Sequence, residues 1–285
     1  MKFAAVSPLD YFASLVAEDD GLNLLEAAVS LAQDAHPALD VQAVLAQVDG
    51  LAKRVRGRIA AETPPARRLQ ALTQFFHGEL GFAGNLNNYY AADNSFIHHV
   101  LESRRGLPIS LAVLLLELGE HIGLRVSGVA FPGHFLVKCK IGMGEVVLDP
   151  FTGQSLSAEQ LEDRLALYRR GSGLPSELEL PLEFFLRPAS PRQILARMLR
   201  NLKEVRRAAQ DWTGLLAVQQ RLVVLLPDDP VEKRDRGLAL AALGANAAAA
   251  ADLAAYLAAR GDAPDAGALR ARLATLVERG APPLQ

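Results

Sequence analysis

The hydrophobic period of this chain changes between Pro108 and Phe151, and that change limits the fold more than any other feature. Ile109 through Ile122 is apolar on most sides, as a buried helix would be, with Pro108 suited to its first turn and Gly123 ending it. Three short runs follow, Leu124 to Ala130, His134 to Lys140 and Glu145 to Leu148. They are separated by Phe131-Pro132-Gly133 and by Ile141-Gly142-Met143-Gly144, which read as turns between antiparallel strands. A buried helix feeding a β-meander predicts an α+β core.

Helical patterns flank this core. Leu22 to Ala32 and Val41 to Val55 carry apolar residues at helical spacing, the second after Asp40 as N-cap, and Pro64-Pro65 opens a third helix through Phe76. Gly81 to Ser95 is rich in Asn, Gly and Asp, which bond their own main chain, so an ordered loop is expected there. One amphipathic helix is expected near Ala158 to Arg170, then a polar, Pro-punctuated stretch to Pro191, where we place the domain boundary: 1–190 and 191–285. Beyond it, Leu215 to Pro230 superposes on Ala249 to Pro264 at a shift of 34 residues, the tetratricopeptide period. Trp212 and the Ala-rich run 239–259 would supply bulky and small packing positions, and Ala266 to Arg279 would cap the stack. The alternative is an irregular helical bundle.

The chain has 285 residues, half of them apolar and 22% charged, enough for a sizeable core or two ordinary domains. A net charge of −2 exerts no global pull toward nucleic acid or an anionic membrane. The one cysteine, Cys139, cannot form an internal disulfide, so a reducing compartment, the cytoplasm, is expected. The N-terminus lacks the apolar stretch of a signal peptide, and no segment offers the roughly 18 uncharged apolar residues of a membrane span.

The order of chemistry-bearing residues is informative. Papain-like cysteine hydrolases and acyltransferases place a thiolate at the start of a buried helix, a His on the next strand and an orienting Asp or Asn one strand further on. Helix 109–122, His134 and Asp149 follow that order, but Gly106-Leu107-Pro108-Ile109-Ser110 holds no cysteine at the helix start. Gly133-His134-Phe135 and Asp149-Pro150 resemble the transglutaminase-like superfamily. More closely, Asn88-Tyr89-Tyr90, Asp93-Asn94-Ser95-Phe96, Arg104-Arg105-Gly106-Leu107-Pro108-Ile109-Ser110-Leu111, Phe131 to Val137 and Leu148-Asp149-Pro150-Phe151 resemble the bacterial SirB-type family. The resemblance spans nearly the whole chain. It implies a transglutaminase-like domain joined to tetratricopeptide-like repeats and a regulatory role, and it implies no established reaction.

Two readings of the site stay open. Ser110, His134 and Asp149 would make an acyl-transfer set if the hydroxyl lay within about 3.2 Å of an imidazole nitrogen. Against it, Ser110 is two residues beyond Pro108 and so rotated by about 200° on a helix, and a helix-start serine is commonly a packed or capping residue. Cys139 lies an odd number of residues from His134, on the opposite strand face, and reads as a buried structural thiol. Asn88, Tyr90, Asn94, Arg105 and Gly133 would line a cleft beside His134, although Asn-rich loops often satisfy their own backbone and arginines beside Glu102 or Asp93 often pair with them. His98 and His99 diverge by about 100° on a helix, and with His36, His77 and His121 scattered, no metal and no cofactor is expected.

Arg192, Arg197, Arg200, Lys203, Arg206 and Arg207 face Glu204 alone within one helix. That run reads as a solvated face; it lacks the interleaved aromatics of a nucleic-acid binder. The expectation is a non-catalytic regulatory or protein-interaction protein, its repeats gripping a peptide or partner helix, with no membrane association and an oligomeric state the sequence does not specify. The competing expectation is a serine-dependent hydrolase or acyltransferase using Ser110, His134 and Asp149.

Overall fold

A computed structural model describes residues 6–172 and 180–280, so part of the Pro-punctuated stretch and the extreme termini lie outside the described residues. Its contacts form two compact units. One, the core unit, comprises Asp19–Gln33 and Ala38–Met198; the other, the repeat unit, comprises the chain up to Glu18, Asp34–Pro37 and the chain from Leu199 onward.

The N-terminal helix α1 (Pro8–Leu15) belongs to the repeat unit, whereas α2 (Leu24–Ser30), α3 (Val41–Arg56) and α4 (Pro65–Thr73) belong to the core unit. Asn23 and Asp40 cap α2 and α3 by accepting from Glu26 N and Ala43 N. α4 runs into a wider π-helical turn, Gln74–Glu79, which the sequence did not announce. A short helix α5 (Ile97–Ser103) then leads to α6 (Pro108–His121), whose residues from Pro108 through Leu116 are all buried. With no polar face, α6 must be enclosed. α2, α3, α4 and α5 pack on it from one side, and the sheet covers another.

That sheet is antiparallel in the order β3 (Val126–Val129), β4 (Leu136–Ile141), β5 (Gly144–Leu148), β6 (Ser155–Leu156). Its register pairs Val129 with Leu136 and Val137 with Leu148, which fixes the two turns read from the sequence. On its further face Val129, Leu136 and Val147 form a cluster with Leu161 and Leu165 of α7 (Ala158–Ser172) and Leu182 of α8 (Leu182–Phe185). The expected α+β core is thus a sheet between helical layers. A feature without a strand pattern is the parallel pair β1 (Ala83–Gly84), inside the region expected to be loop, and β2 (Arg105–Gly106), just ahead of Pro108.

In the repeat unit, α9 (Pro191–Ala208) contributes its residues from Leu199 onward, followed by α10 (Trp212–Leu225), α11 (Pro230–Ala242), α12 (Asn246–Ala259) and α13 (Ala266–Gly280). Each of the last four packs on the next, and α12 begins 34 residues after α10. Trp212 departs from its expected place: it is 37% exposed at the start of α10, while Leu215, Leu222 and Leu225 take the buried positions. α1 groups with these helices. Arg221 of α10 is buried, lies over the Phe12 ring at 5.7 Å and pairs with Asp34.

The basic run on α9 is only in part the solvated face expected: Arg200 and Arg207 are exposed, whereas Lys203 is buried. Arg200 Nε and Lys203 Nζ both donate to buried Glu232 at 2.9 Å, and Lys203 also pairs with Asp235 at 2.5 Å. The neutralising acids come from α11, too far along the sequence for helical spacing to show them.

Candidate functional site

Phe131-Pro132-Gly133-His134 closes as a turn: His134 N donates to Phe131 O at 3.1 Å, and Gly133 takes φ +69°. Pro at the second position and a positive-φ Gly at the third are what a type II turn requires. The turn delivers His134 just ahead of β4, rather than on the strand as expected. Its Nε2–H donates to Asp149 Oδ1 at 2.8 Å, which leaves Nδ1 for another group.

Asp149 is 1% exposed and fully engaged. Oδ1 also accepts from Phe151 N at 3.0 Å, and Oδ2 accepts from both Nη1 and Nη2 of Arg164 on α7 at 3.0 Å. Burial pushes this carboxyl up, but the hydrogen bond and charge of His134, then Phe151 N and Arg164, outweigh it and hold it below its ordinary value. The group is therefore an anion that orients imidazole, with Arg164 balancing its charge.

The loop after Asp149 is set by close approach. Gly153 has φ +78°, and a Cβ there would fall 2.7 Å from the His77 ring. His77 stands on the π-helical turn with Nδ1 2.8 Å from Phe82 O, and burial lowers its pKa despite that bond. Gly84 likewise has no room for a side chain, since its Cβ would lie 2.1 Å from Phe151. Gly84 N donates to Phe151 O at 2.9 Å, and Gly84 pairs with Gly106 across β1 and β2. This small parallel pair ties the start of α6 to the Asp149 loop.

Ser110 bonds main-chain carbonyls and not the imidazole. It is wholly buried, and its hydroxyl reaches Asn94 O at 2.6 Å and Leu107 O at 3.0 Å; it makes no hydrogen bond to His134. Oγ lies so close beneath β2 that a Cβ on Gly106 would approach it to 2.7 Å. The hydroxyl therefore spans two main-chain carbonyls at the helix start, the packed, end-capping role weighed in the sequence against a contact with His134. Cys139 is buried on β4, opposite Val126 and Val146, and burial raises its thiol pKa.

The expected cleft residues separate. Asn94 is an internal staple: Nδ2 donates to Asn88 O at 2.6 Å and Tyr89 O at 3.0 Å, and Oδ1 accepts from Asn85 Nδ2 at 2.9 Å. Asn88 serves through its backbone, its N–H donating to Asn85 Oδ1. Arg105 donates Nη1 to Gly81 O at 2.6 Å and so braces the loop rather than a ligand. Tyr90 is 81% exposed and packs edge-on to Tyr89. Gly133 stays at the surface beside His134, where a Cβ would touch Tyr168 at 3.5 Å.

The residues that do surround His134 include several that sequence reasoning missed. Phe151 is edge-on to the imidazole at 6.3 Å, and Tyr89 lies 6.1 Å from Phe151. Arg164 and Arg197 come from α7 and α9, where nothing in the local pattern separates them from neighbouring arginines. Among the described residues no cluster of three His, Cys, Asp or Glu could hold a metal ion. Nor is any described helix long and apolar enough to cross a membrane.

Residues 42–200 match the model of the transglutaminase-like superfamily, and 202–274 match a tetratricopeptide repeat model. The chain is 35% identical over 241 residues to a UPF0162 protein of Xylella fastidiosa strain 9a5c, covering 84% of this chain and 85% of that protein. It is 30% identical to a UPF0162 protein of Vibrio cholerae, over 76% of this chain and 79% of the relative. Against the UPF0162 protein YchA of Escherichia coli K12 it is 28% identical, with 85% and 87% covered. No solved structure gives a significant match.

Proposed function

The chain belongs to the UPF0162 family, with a transglutaminase-like core and tetratricopeptide repeats, and from that premise we propose that it works by binding rather than by catalysis. The observation that carries this reading is the state of Ser110. Its proton is committed to Asn94 O and Leu107 O, its oxygen is buried, and the only thiol of the chain is buried on β4. A nucleophile needs its base within hydrogen-bond reach, and neither group meets His134. His134, Asp149 and Arg164 remain ordered as a recognition site, with Nδ1 of the imidazole as the working atom. The repeat unit supplies the docking surface for a protein segment, as stacked helical repeats commonly do. A regulatory adaptor fits both parts, in keeping with the SirB-type resemblance.

The competing serine-dependent hydrolase would require the Ser110 hydroxyl to abandon both carbonyls and rotate toward His134. Turnover of a panel of aryl esters, thioesters and amides separates the readings. We expect no rate above buffer that is lost in both Ser110→Ala and His134→Ala. A turnover abolished by each substitution, in chains that still melt cooperatively, would overturn the binding reading.

A further inference from the structure

Arg197 is a cation of the core unit, close to His134, with no acid paired to it among the described residues. It projects from α9, is partly buried, and donates Nη1 to Phe131 O at 3.1 Å, the same carbonyl that accepts from His134 N. Its guanidinium also lies 5.7 Å from the Phe135 ring. Among the described residues no carboxylate pairs with it. By contrast Arg164 of α7 is matched to Asp149, and Arg192 on the same helix as Arg197 to Asp19 at 2.5 Å. A half-buried guanidinium is costly unless something anionic meets it, because its fork of N–H donors is built for a planar carboxylate.

The surroundings define the rest of the ligand. Phe131 O fixes the His134 turn and the guanidinium together, so Arg197 and His134 share one edge. Burial lowers the Arg197 pKa, while Tyr89 and Tyr168 both lie near enough to raise it. Tyr168 borders Gly133, and Tyr89 packs toward Phe151 beside the imidazole. Both tyrosines are exposed enough to receive a ring or an apolar chain. The charges close on a monoanion. Asp149 and Arg164 cancel, and Arg197 leaves one positive charge.

We propose that the surface at His134 recognises a carboxylate carried on an aromatic or apolar group, with Arg197 as the anion-binding residue and Tyr89 and Tyr168 flanking the body of the ligand. This rests on the binding reading above and names its ligand class. Two sources share the chemistry, the C-terminus of a peptide and a small free acid.

The full chain, labelled for NMR at the His134 imidazole, is titrated with phenylacetate and phenylacetamide, and with acetyl-Gly-Gly-Phe as the free acid and as its amide. The acids are expected to shift the His134 signals saturably and to bind at least about tenfold tighter than their amides, the scale of one charge-assisted hydrogen bond. Arg197→Gln should erase that preference and Arg197→Lys should restore part of it, with melting curves confirming that both variants are folded. Tighter binding of the peptide acid identifies a peptide C-terminus, and tighter binding of phenylacetate a small acid; either supports the proposal. Equal binding of acid and amide at His134 overturns it while leaving a binding surface in place. Acid binding that Arg197→Gln leaves unchanged, or no shift at His134 with any of the four compounds, also overturns it.

Discussion

Ser110 donates its hydroxyl to the carbonyl of Asn94 at 2.6 Å, and the Asn94 carbonyl also accepts from Leu107 N at 3.2 Å. The residue best placed by sequence to be a nucleophile is thus part of the joint between a loop and the start of α6. Ser110→Ala should cost about 1 kcal/mol, the net value of a buried hydrogen bond, because Asn94 O keeps its second donor. Gly106→Ala should cost about 2 kcal/mol through the clash with Ser110 Oγ and Val100, and the double variant should cost less than the sum. Urea denaturation of the four chains measures this coupling.

Asp149 governs the acid side of the stability curve. Its folded pKa lies below the unfolded value, so its contribution is fully present above about pH 4 and is lost as pH falls through the folded pKa. Asp149→Asn should remove the carboxylate from His134 and Arg164 at a cost of about 3 kcal/mol near neutrality. The difference from wild type should shrink as the pH drops below about 4 and vanish below the folded pKa, where the native wild-type carboxyl is protonated as well.

Gly153 offers a test against an internal control. Gly21 and Gly153 both adopt positive φ, but a Cβ at Gly21 meets nothing within 4 Å whereas one at Gly153 meets His77. Gly21→Ala should cost about 1 kcal/mol from backbone strain alone. Gly153→Ala should cost about 2 kcal/mol more, and His77→Ala in that background should recover part of the excess.

The core order was legible because its signals are local. Pro132-Gly133 announces the turn that presents His134, and Asp149 precedes Pro150 at a strand end. Three features were not legible. The two-residue offset from Pro108 already turns Ser110 off the nucleophile register, but no spacing encodes the Asn94 and Leu107 carbonyls that hold its hydroxyl. Arg164 and Arg197 reach the site from helices whose other arginines look the same in sequence. The acids that neutralise Arg200 and Lys203 lie on α11, so part of a run read as exposed is paired, with Lys203 buried against Glu232.

Glu232 is the hub of that network, buried and bonded to both cations. Glu232→Gln should destabilise the repeat unit by about 3 kcal/mol, since it leaves Lys203 buried with only Asp235. Hydrogen exchange should show faster opening of α10 and α11, with α6 and the sheet unchanged.

The central claim, that the His134 site binds without forming a covalent bond, is tested most directly by intact-mass measurement after incubation with an alkyl fluorophosphonate and with chloroacetamide. The account predicts an unmodified native chain, with chloroacetamide labelling Cys139 only once urea exposes it. A stoichiometric adduct on Ser110 of the native chain, lost in His134→Ala, would contradict it.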